Sequence, residues 1–208
     1  MRFNMLYFRN SIIVLFIGTV SVFSQDFDSD FVKTSEHSFT VSLFSDGYEI
    51  PWGMSFLPNS ELLVSDRSGK LYRVSADGKL RVEISGVPKV LYKSQGGLLD
   101  IAVHPEFSKN KLVYISYSHA INRKSFTRIA MAKLVENKLV DLKVIYSADK
   151  KHYTPRPIHF GSRIVFKDGH IYFSIGDSFE REEAQDINTP NGKIHRLTYN
   201  GETPKDNP

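Results

Sequence analysis

The chain has 208 residues, of which 41% are hydrophobic and 24% are charged, and these fractions are typical of an ordinary globular protein. Its 27 lysines and arginines stand against 23 aspartates and glutamates, a net charge of +4, which gives no indication of a nucleic-acid partner. The sequence contains no cysteine, which excludes disulfide bonds and lipids attached to cysteine.

Residues 1–24 have the layout of a secretory signal peptide. Two arginines precede an apolar run at 12–23, and the small Ser24 follows that run. The run is shorter than the roughly 20 residues that a membrane-spanning helix needs. We therefore expect cleavage after Ser24, no membrane span in the mature chain, and a periplasmic or secreted protein. An uncleaved N-terminal anchor is the alternative.

Residues 25–37 are polar and acidic, and we predict that they form a flexible linker. Their spaced aspartates do not fit a calcium-binding EF-hand, because Phe31 and His37 stand where that loop has glycine and glutamate. We therefore assign no metal to this segment.

From residue 38 onward, short segments rich in Val, Ile, Tyr and Phe alternate with Asp-Gly and Asn-Gly turn signals, which predicts an all-β fold. A weak internal repeat of roughly 45 to 65 residues is typical of β-propeller blades. We predict three blades, at 51–87, at 96–148 and from residue 159 onward. Closed propellers have about four to eight blades, so we expect this chain to be the N-terminal part of a longer protein.

The loops before the innermost strands of a propeller converge on the mouth of its channel, and two such segments carry polar residues. They are 94–100 and 158–163. If the second segment is extended, His159, Gly161 and Arg163 project from the same side. We expect the charge of Arg163, and as a second candidate that of Arg156, to keep His159 neutral and able to accept a proton. A structural histidine with satisfied hydrogen bonds is the alternative.

Several short motifs occur in a fixed order along the chain. They are Pro51-Trp52-Gly53-Met54, Gln95-Gly96-Gly97-Leu98-Leu99-Asp100, His159-Phe160-Gly161-Ser162-Arg163, Gly176-Asp177 with Ala184-Gln185-Asp186, Gly192-Lys193-Ile194 and Asp206-Asn207-Pro208. This ordered set resembles the glucose/sorbosone dehydrogenase family, and within it the soluble aldose sugar dehydrogenases that use pyrroloquinoline quinone. The resemblance covers residues 50–208.

The resemblance implies a six-bladed propeller, of which residues 38–208 would form the N-terminal part, with pyrroloquinoline quinone and Ca²⁺ in the channel mouth. It implies that His159 takes the proton of the anomeric hydroxyl of an aldose while hydride passes to the quinone, which gives a lactone. We expect Gln95 and Arg163 at the cofactor, and Gln95 and Trp52 at the sugar. The expected partners are a small aldose and an electron acceptor.

The chain also departs from the family pattern. Ile158 stands where the glucose-oxidising branch has an aspartate, so no preference for glucose is carried over. The family takes its calcium ligands and most quinone ligands from the second half of its sequence. We therefore assign no metal ligand here and expect these 208 residues alone to be inactive.

Two other functions fit the same fold. A calcium-dependent propeller lactonase would need a ring of Glu, Asn and Asp ligands, whereas the inner-strand starts offer Gln95 and His159. A non-catalytic propeller that binds a carbohydrate or a protein is the second alternative. For Asp177 and Arg181 we expect ion pairs within a loop, and for Trp52 the alternative is core packing.

Overall fold

The computed structural model describes residues 30–207, which are almost entirely β-strands and turns. The predicted signal peptide, 1–24, lies outside the described residues. The chain divides into two compact units, Met1–Leu43 and Phe44–Pro208, which are taken separately below. Within 30–207, no helix has the length and apolar character needed to cross a membrane.

The described residues of the first unit, 30–43, contain one antiparallel hairpin. Strand β1 (Asp30–Lys33) pairs with β2 (Ser38–Val41), and the Thr34 hydroxyl closes the turn by accepting the backbone N–H of His37 at 3.0 Å. The range 25–37, predicted as a flexible linker, thus contains a paired strand. The two apolar residues of β1, Phe31 and Val32, are too few to produce a strand pattern in this polar range.

The second unit begins with a four-stranded antiparallel sheet in the order β3-β4-β5-β6. Its strands are β3 (Pro51–Phe56), β4 (Leu62–Asp66), β5 (Lys70–Val74) and β6 (Arg81–Ile84). The predicted Asp77-Gly78 turn connects β5 with β6, and Gly78 adopts a φ of 76° there. This sheet matches the first predicted blade.

The next sheet is also four-stranded and antiparallel, in the order β10-β9-β8-β7. Its elements are β7 (Leu98–Val103), the one-turn helix α1 (Phe107–Asn110), β8 (Leu112–Ile121), β9 (Lys124–Val135) and β10 (Lys138–Ser147). A single helical turn is too short to produce a helical period in the sequence, and α1 was not predicted. This sheet matches the second predicted blade.

The last sheet has three strands in the order β11-β12-β13. They are β11 (Gly161–Lys167), β12 (His170–Ile175) and β13 (Lys193–Thr198). Two 3-10 helices, Lys150–His152 and Arg181–Ala184, lie in the loops before β11 and after β12.

The three sheets are held together by two hydrophobic cores, and β8 contributes to both. Val113 and Ile115 share one core with Leu63 of the first sheet, whereas Tyr114, which points to the opposite face, shares the other with Phe173 of the third. Successive residues of a strand face opposite sides, so the uninterrupted buried run 113–118 of β8 shows that its sheet is covered on both faces. Consecutive antiparallel sheets packed in this way confirm the predicted all-β, partial-propeller fold.

Candidate active site

The structure brings together the two segments that the sequence singled out. The loop before β7 and the loop before β11 are joined by a backbone hydrogen bond from Gln95 to Pro157 at 3.2 Å. The side-chain oxygen of Gln95 accepts the backbone N–H of His159 at 2.8 Å. Gln95 therefore fixes the main chain of His159, and the imidazole of His159 remains available for other contacts.

The imidazole of His159 contacts a carboxylate. Its Nδ1 lies 2.6 Å from Oδ1 of Asp177, and the side chain of His159 is 40% exposed. An ionised carboxylate can only accept hydrogen bonds, so Nδ1 is the donor. In the neutral ring, the remaining nitrogen, Nε2, then carries a lone pair and can accept a proton.

Asp177 is itself fixed in place. Its Oδ1 also accepts the backbone N–H of Phe179 at 2.9 Å, and its own carbonyl accepts a hydrogen bond from the buried Asn191. The hydrogen bond from Phe179, followed by that from His159, lowers the pKa of Asp177 below its ordinary value. The carboxylate that orients His159 is therefore ionised at neutral pH.

The contact between His159 and Asp177 was not predicted, because ion pairs within its loop were favoured for Asp177 over a direct catalytic role. Strands β11 and β12 are antiparallel, and Gly161 pairs with Ile175. The end of β12 therefore lies beside the start of β11. The position of Asp177, two residues after Ile175, is the sequence signal that would have placed it next to His159.

Arg163 does not interact with His159 as expected. Its guanidinium donates to the buried Asp100 at 3.0 Å and lies over the ring of Trp52, 4.4 Å from the ring centroid. Burial raises the pKa of Asp100, while hydrogen bonds from Ile164 and Arg163 act in the opposite direction. The expectation that Arg163 would control the charge of His159 is corrected, because its partner is Asp100 and the group bonded to His159 is a carboxylate.

The backbone before β11 is not the regular extended strand that was expected. His159 and Ser162 have φ values of 53° and 101°, and the register with β12 shifts between Gly161 and Ile164. Left-handed conformations cost energy in residues other than glycine and often occur at functional sites. Exposure still alternates, so that His159, Gly161 and Arg163 are exposed while the residues between them are buried.

Gly176 makes this bent backbone possible. A Cβ atom at residue 176 would overlap the carbonyl oxygen of His159. Where two main chains approach each other this closely, only glycine fits, because it has no side chain. The glycine of the Gly176-Asp177 motif thus allows the aspartate to reach the histidine.

The described residues give partial support to a cofactor site. The side chain of Arg163 is 61% exposed, and Gln95 has an amide group whose nitrogen is a donor. Both could therefore bind the carboxylate or carbonyl oxygens of an acidic quinone. Within 30–207, no group of three or more His, Cys, Asp or Glu residues could hold a metal ion. We therefore assign no residue to Ca²⁺.

Comparisons with known proteins identify the family to which this chain belongs. The sequence model of the family described as glucose/sorbosone dehydrogenase matches residues 48–208. The aldose sugar dehydrogenase of Escherichia coli K12 is 35% identical over 173 residues, which cover 81% of this chain and 46% of that protein. An uncharacterised Synechocystis protein is 41% identical, with coverage of 78% of this chain and 44% of that protein.

Solved structures show the same relationship. The apo form of the soluble aldose sugar dehydrogenase of Escherichia coli superposes with a TM-score of 0.75 at 35% identity, covering 80% of this chain and 49% of that one. The aldose sugar dehydrogenase of Streptomyces coelicolor, solved in its quinone-bound form, superposes with a TM-score of 0.69 at 30% identity. The match covers 81% of this chain and 50% of that one. The chain thus spans about half the length of these relatives. It belongs to the glucose/sorbosone dehydrogenase family.

Proposed function

We propose that this chain supplies the general base for oxidation of an aldose at its anomeric carbon, with a lactone as the product. The observation that carries the proposal is the 2.6 Å contact between His159 Nδ1 and Asp177, which leaves Nε2 as the proton acceptor. The names of the relatives support the same chemistry, since they include aldose sugar dehydrogenases and a quinoprotein glucose dehydrogenase from Acinetobacter calcoaceticus. The dehydrogenase is therefore favoured over a lactonase.

In the proposed step, Nε2 of His159 removes the proton of the anomeric hydroxyl as the C–H bond at the same carbon breaks. Pyrroloquinoline quinone, when bound, accepts the two electrons and the hydrogen of that bond as hydride. Asp177 holds the ring in the tautomer that can accept the proton, and its negative charge then stabilises the imidazolium that forms. The hydroxyl oxygen becomes the carbonyl oxygen of the lactone.

Three other side chains have proposed binding roles. Arg163 and Gln95 would donate hydrogen bonds to the oxygens of the quinone, and Gln95 would also contact the sugar. Trp52 would pack against the sugar with the part of its ring that Arg163 leaves free. Ca²⁺ is part of the proposal through the resemblance alone, and no residue here is given the role of its ligand.

The proposed setting is the periplasm or the outside of the cell, reached through the signal peptide at 1–24. Electrons from the reduced quinone would then pass to an acceptor in the same compartment. A fusion of residues 1–30 to a reporter enzyme that is active only after export would test this. Retention of the reporter in the cytoplasm would contradict it.

The function is tested on the full-length protein reconstituted with the quinone and Ca²⁺. We expect an artificial electron acceptor to be reduced when aldoses are supplied, and His159→Ala to lose at least about 100-fold in kcat while the quinone still binds. His170→Ala, at the first residue of β12 and thus at the opposite end of that strand from Asp177, is the matched control. Absence of turnover with every aldose would reject the dehydrogenase, and full activity of His159→Ala would reject the base.

A further inference from the structure

Two arginines converge on one aromatic ring beside His159. The guanidinium carbons of Arg156 and Arg181 lie 4.8 Å and 5.0 Å from the centroid of the Phe179 ring. The same ring is 5.7 Å from the imidazole of His159. Phe179 is 39% exposed, and both arginines are exposed, so the cluster faces solvent next to the proposed catalytic base.

Neither arginine forms a salt bridge within 4 Å among residues 30–207, although Arg181 is close enough to Asp177 for their charges to interact. Among the ion pairs of residues 30–207, none includes Arg156 or Arg181. Both charges are close to one ring, so they are separated by no more than about one Debye length at 0.1 M salt, roughly 10 Å. Their mutual repulsion is only partly offset by the attraction of each to Phe179 and by that of Arg181 to Asp177. An anion placed between them would remove that repulsion.

The backbone at this cluster is held in an unusual conformation. Ser178 and Phe179 are consecutive residues other than glycine with positive φ values, 52° and 67°. The backbone N–H of Phe179 donates to the same oxygen of Asp177 that contacts His159. One carboxylate therefore fixes both the catalytic imidazole and the ring on which the arginines rest, and such strain is typical of ligand-binding loops.

We infer that Arg156, Phe179 and Arg181 form a subsite for a carboxylate or phosphate group, so that the preferred substrates are acidic aldoses such as hexuronic acids or aldose phosphates. This inference rests on the proposed function, because it places the anomeric hydroxyl of the same sugar at His159. The distance from the imidazole to Phe179 is about that across a single sugar unit. Guanidinium groups suit these anions because their planar donors match two oxygens at once.

The test compares kcat/KM of the full-length, quinone-loaded protein for glucose with that for glucuronate and glucose 6-phosphate. We expect the acidic sugars to be favoured over glucose by at least about tenfold at low salt, and the advantage to shrink at high salt. In the double variant Arg156→Gln, Arg181→Gln the ratio of acidic to neutral sugar should fall at least about tenfold. Arg123→Gln, an exposed arginine in the turn between β8 and β9, should leave the ratio unchanged.

An equilibrium measurement separates this inference from the proposed function. Calorimetric binding of glucuronate to the quinone-loaded His159→Ala protein should be lost when both arginines are also replaced, even if no sugar is turned over. If glucuronate binds no better than glucose, or binds equally well without the arginines, the subsite is rejected while the dehydrogenase proposal stands.

The quinone is another possible source of the anion, since it also carries carboxylates. If the double variant binds the quinone much more weakly and loses the same factor in kcat/KM with all three sugars, the arginines bind the cofactor and the substrate assignment is overturned. If the double variant keeps its affinity for the quinone but loses the higher kcat/KM for acidic sugars, the substrate assignment is supported.

Discussion

The two ring nitrogens of His159 have different environments, and this difference defines the chemistry of the residue. Nδ1 is bound to Asp177, whereas Nε2 has no hydrogen-bond partner among the described residues. A neutral imidazole has one donor and one acceptor nitrogen, so occupying Nδ1 as the donor makes Nε2 the acceptor. The carboxylate thus selects which ring nitrogen would act as the proposed base.

Replacing Asp177 with asparagine tests this selection. Asparagine keeps the size of the side chain, but its amide can donate to Nδ1, which favours the tautomer with the proton on Nε2. We expect kcat of the full-length protein to fall by roughly 10² to 10⁴ while KM for the sugar changes little. Asp186→Asn, an exposed substitution in the same loop, is the control. A loss smaller than tenfold in Asp177→Asn would show that the carboxylate does not select the tautomer.

At the scale of elements, the site depends on how β11 and β12 begin and end. The turn Asp168-Gly169 sets the register of the pair, and the bulge in β11 brings His159 over the end of β12. Gly176 permits the contact because it has no side chain. The main chain, as well as the polar side chains, thus places His159 against the carboxylate of Asp177.

Gly176→Ala should displace His159, because the new methyl group would overlap its carbonyl oxygen. We expect kcat to fall about 100-fold, as is usual for a base misplaced by about 1 Å, and the free energy of unfolding to fall by about 1–3 kcal/mol. Gly169→Ala separates the two effects, since residue 169 has a φ of 78° and no neighbour within 4 Å. That control should lose stability through backbone strain alone and keep its kcat.

The sequence predicted the sheets more completely than the site. The sheets follow from local signals, such as β-branched runs bounded by Asp-Gly turns, and the placement of His159 before an inner strand followed from the repeat. The side chains that His159 and Arg163 contact could not be predicted from such local signals. Asp177 is 18 residues from His159, and Asp100 is 63 residues from Arg163. Such contacts depend on register and on a bulge, which no local pattern encodes.

At the scale of the whole molecule, the first and third sheets each have one face turned away from the second. In β3, Ser55 faces β7 and accepts a hydrogen bond from it, so its neighbour Phe56, 66% exposed, lies on the opposite face. In the third sheet, Val165 and Ile194 share a face, and Ile194 is 71% exposed. These are the faces on which further sheets of a propeller would pack.

Residues 44–208, produced alone, should therefore associate through these faces, because burying a large apolar side chain contributes about 1.5–3 kcal/mol. We expect sedimentation to show concentration-dependent oligomers, and Phe56→Ser with Ile194→Ser to shift the polypeptide toward monomer. Ile187→Ser, which replaces an exposed side chain in a loop, should have no such effect. A polypeptide that is monomeric at every concentration would show that the two faces do not bind apolar surfaces. Oligomers that persist in the double variant would place the association elsewhere.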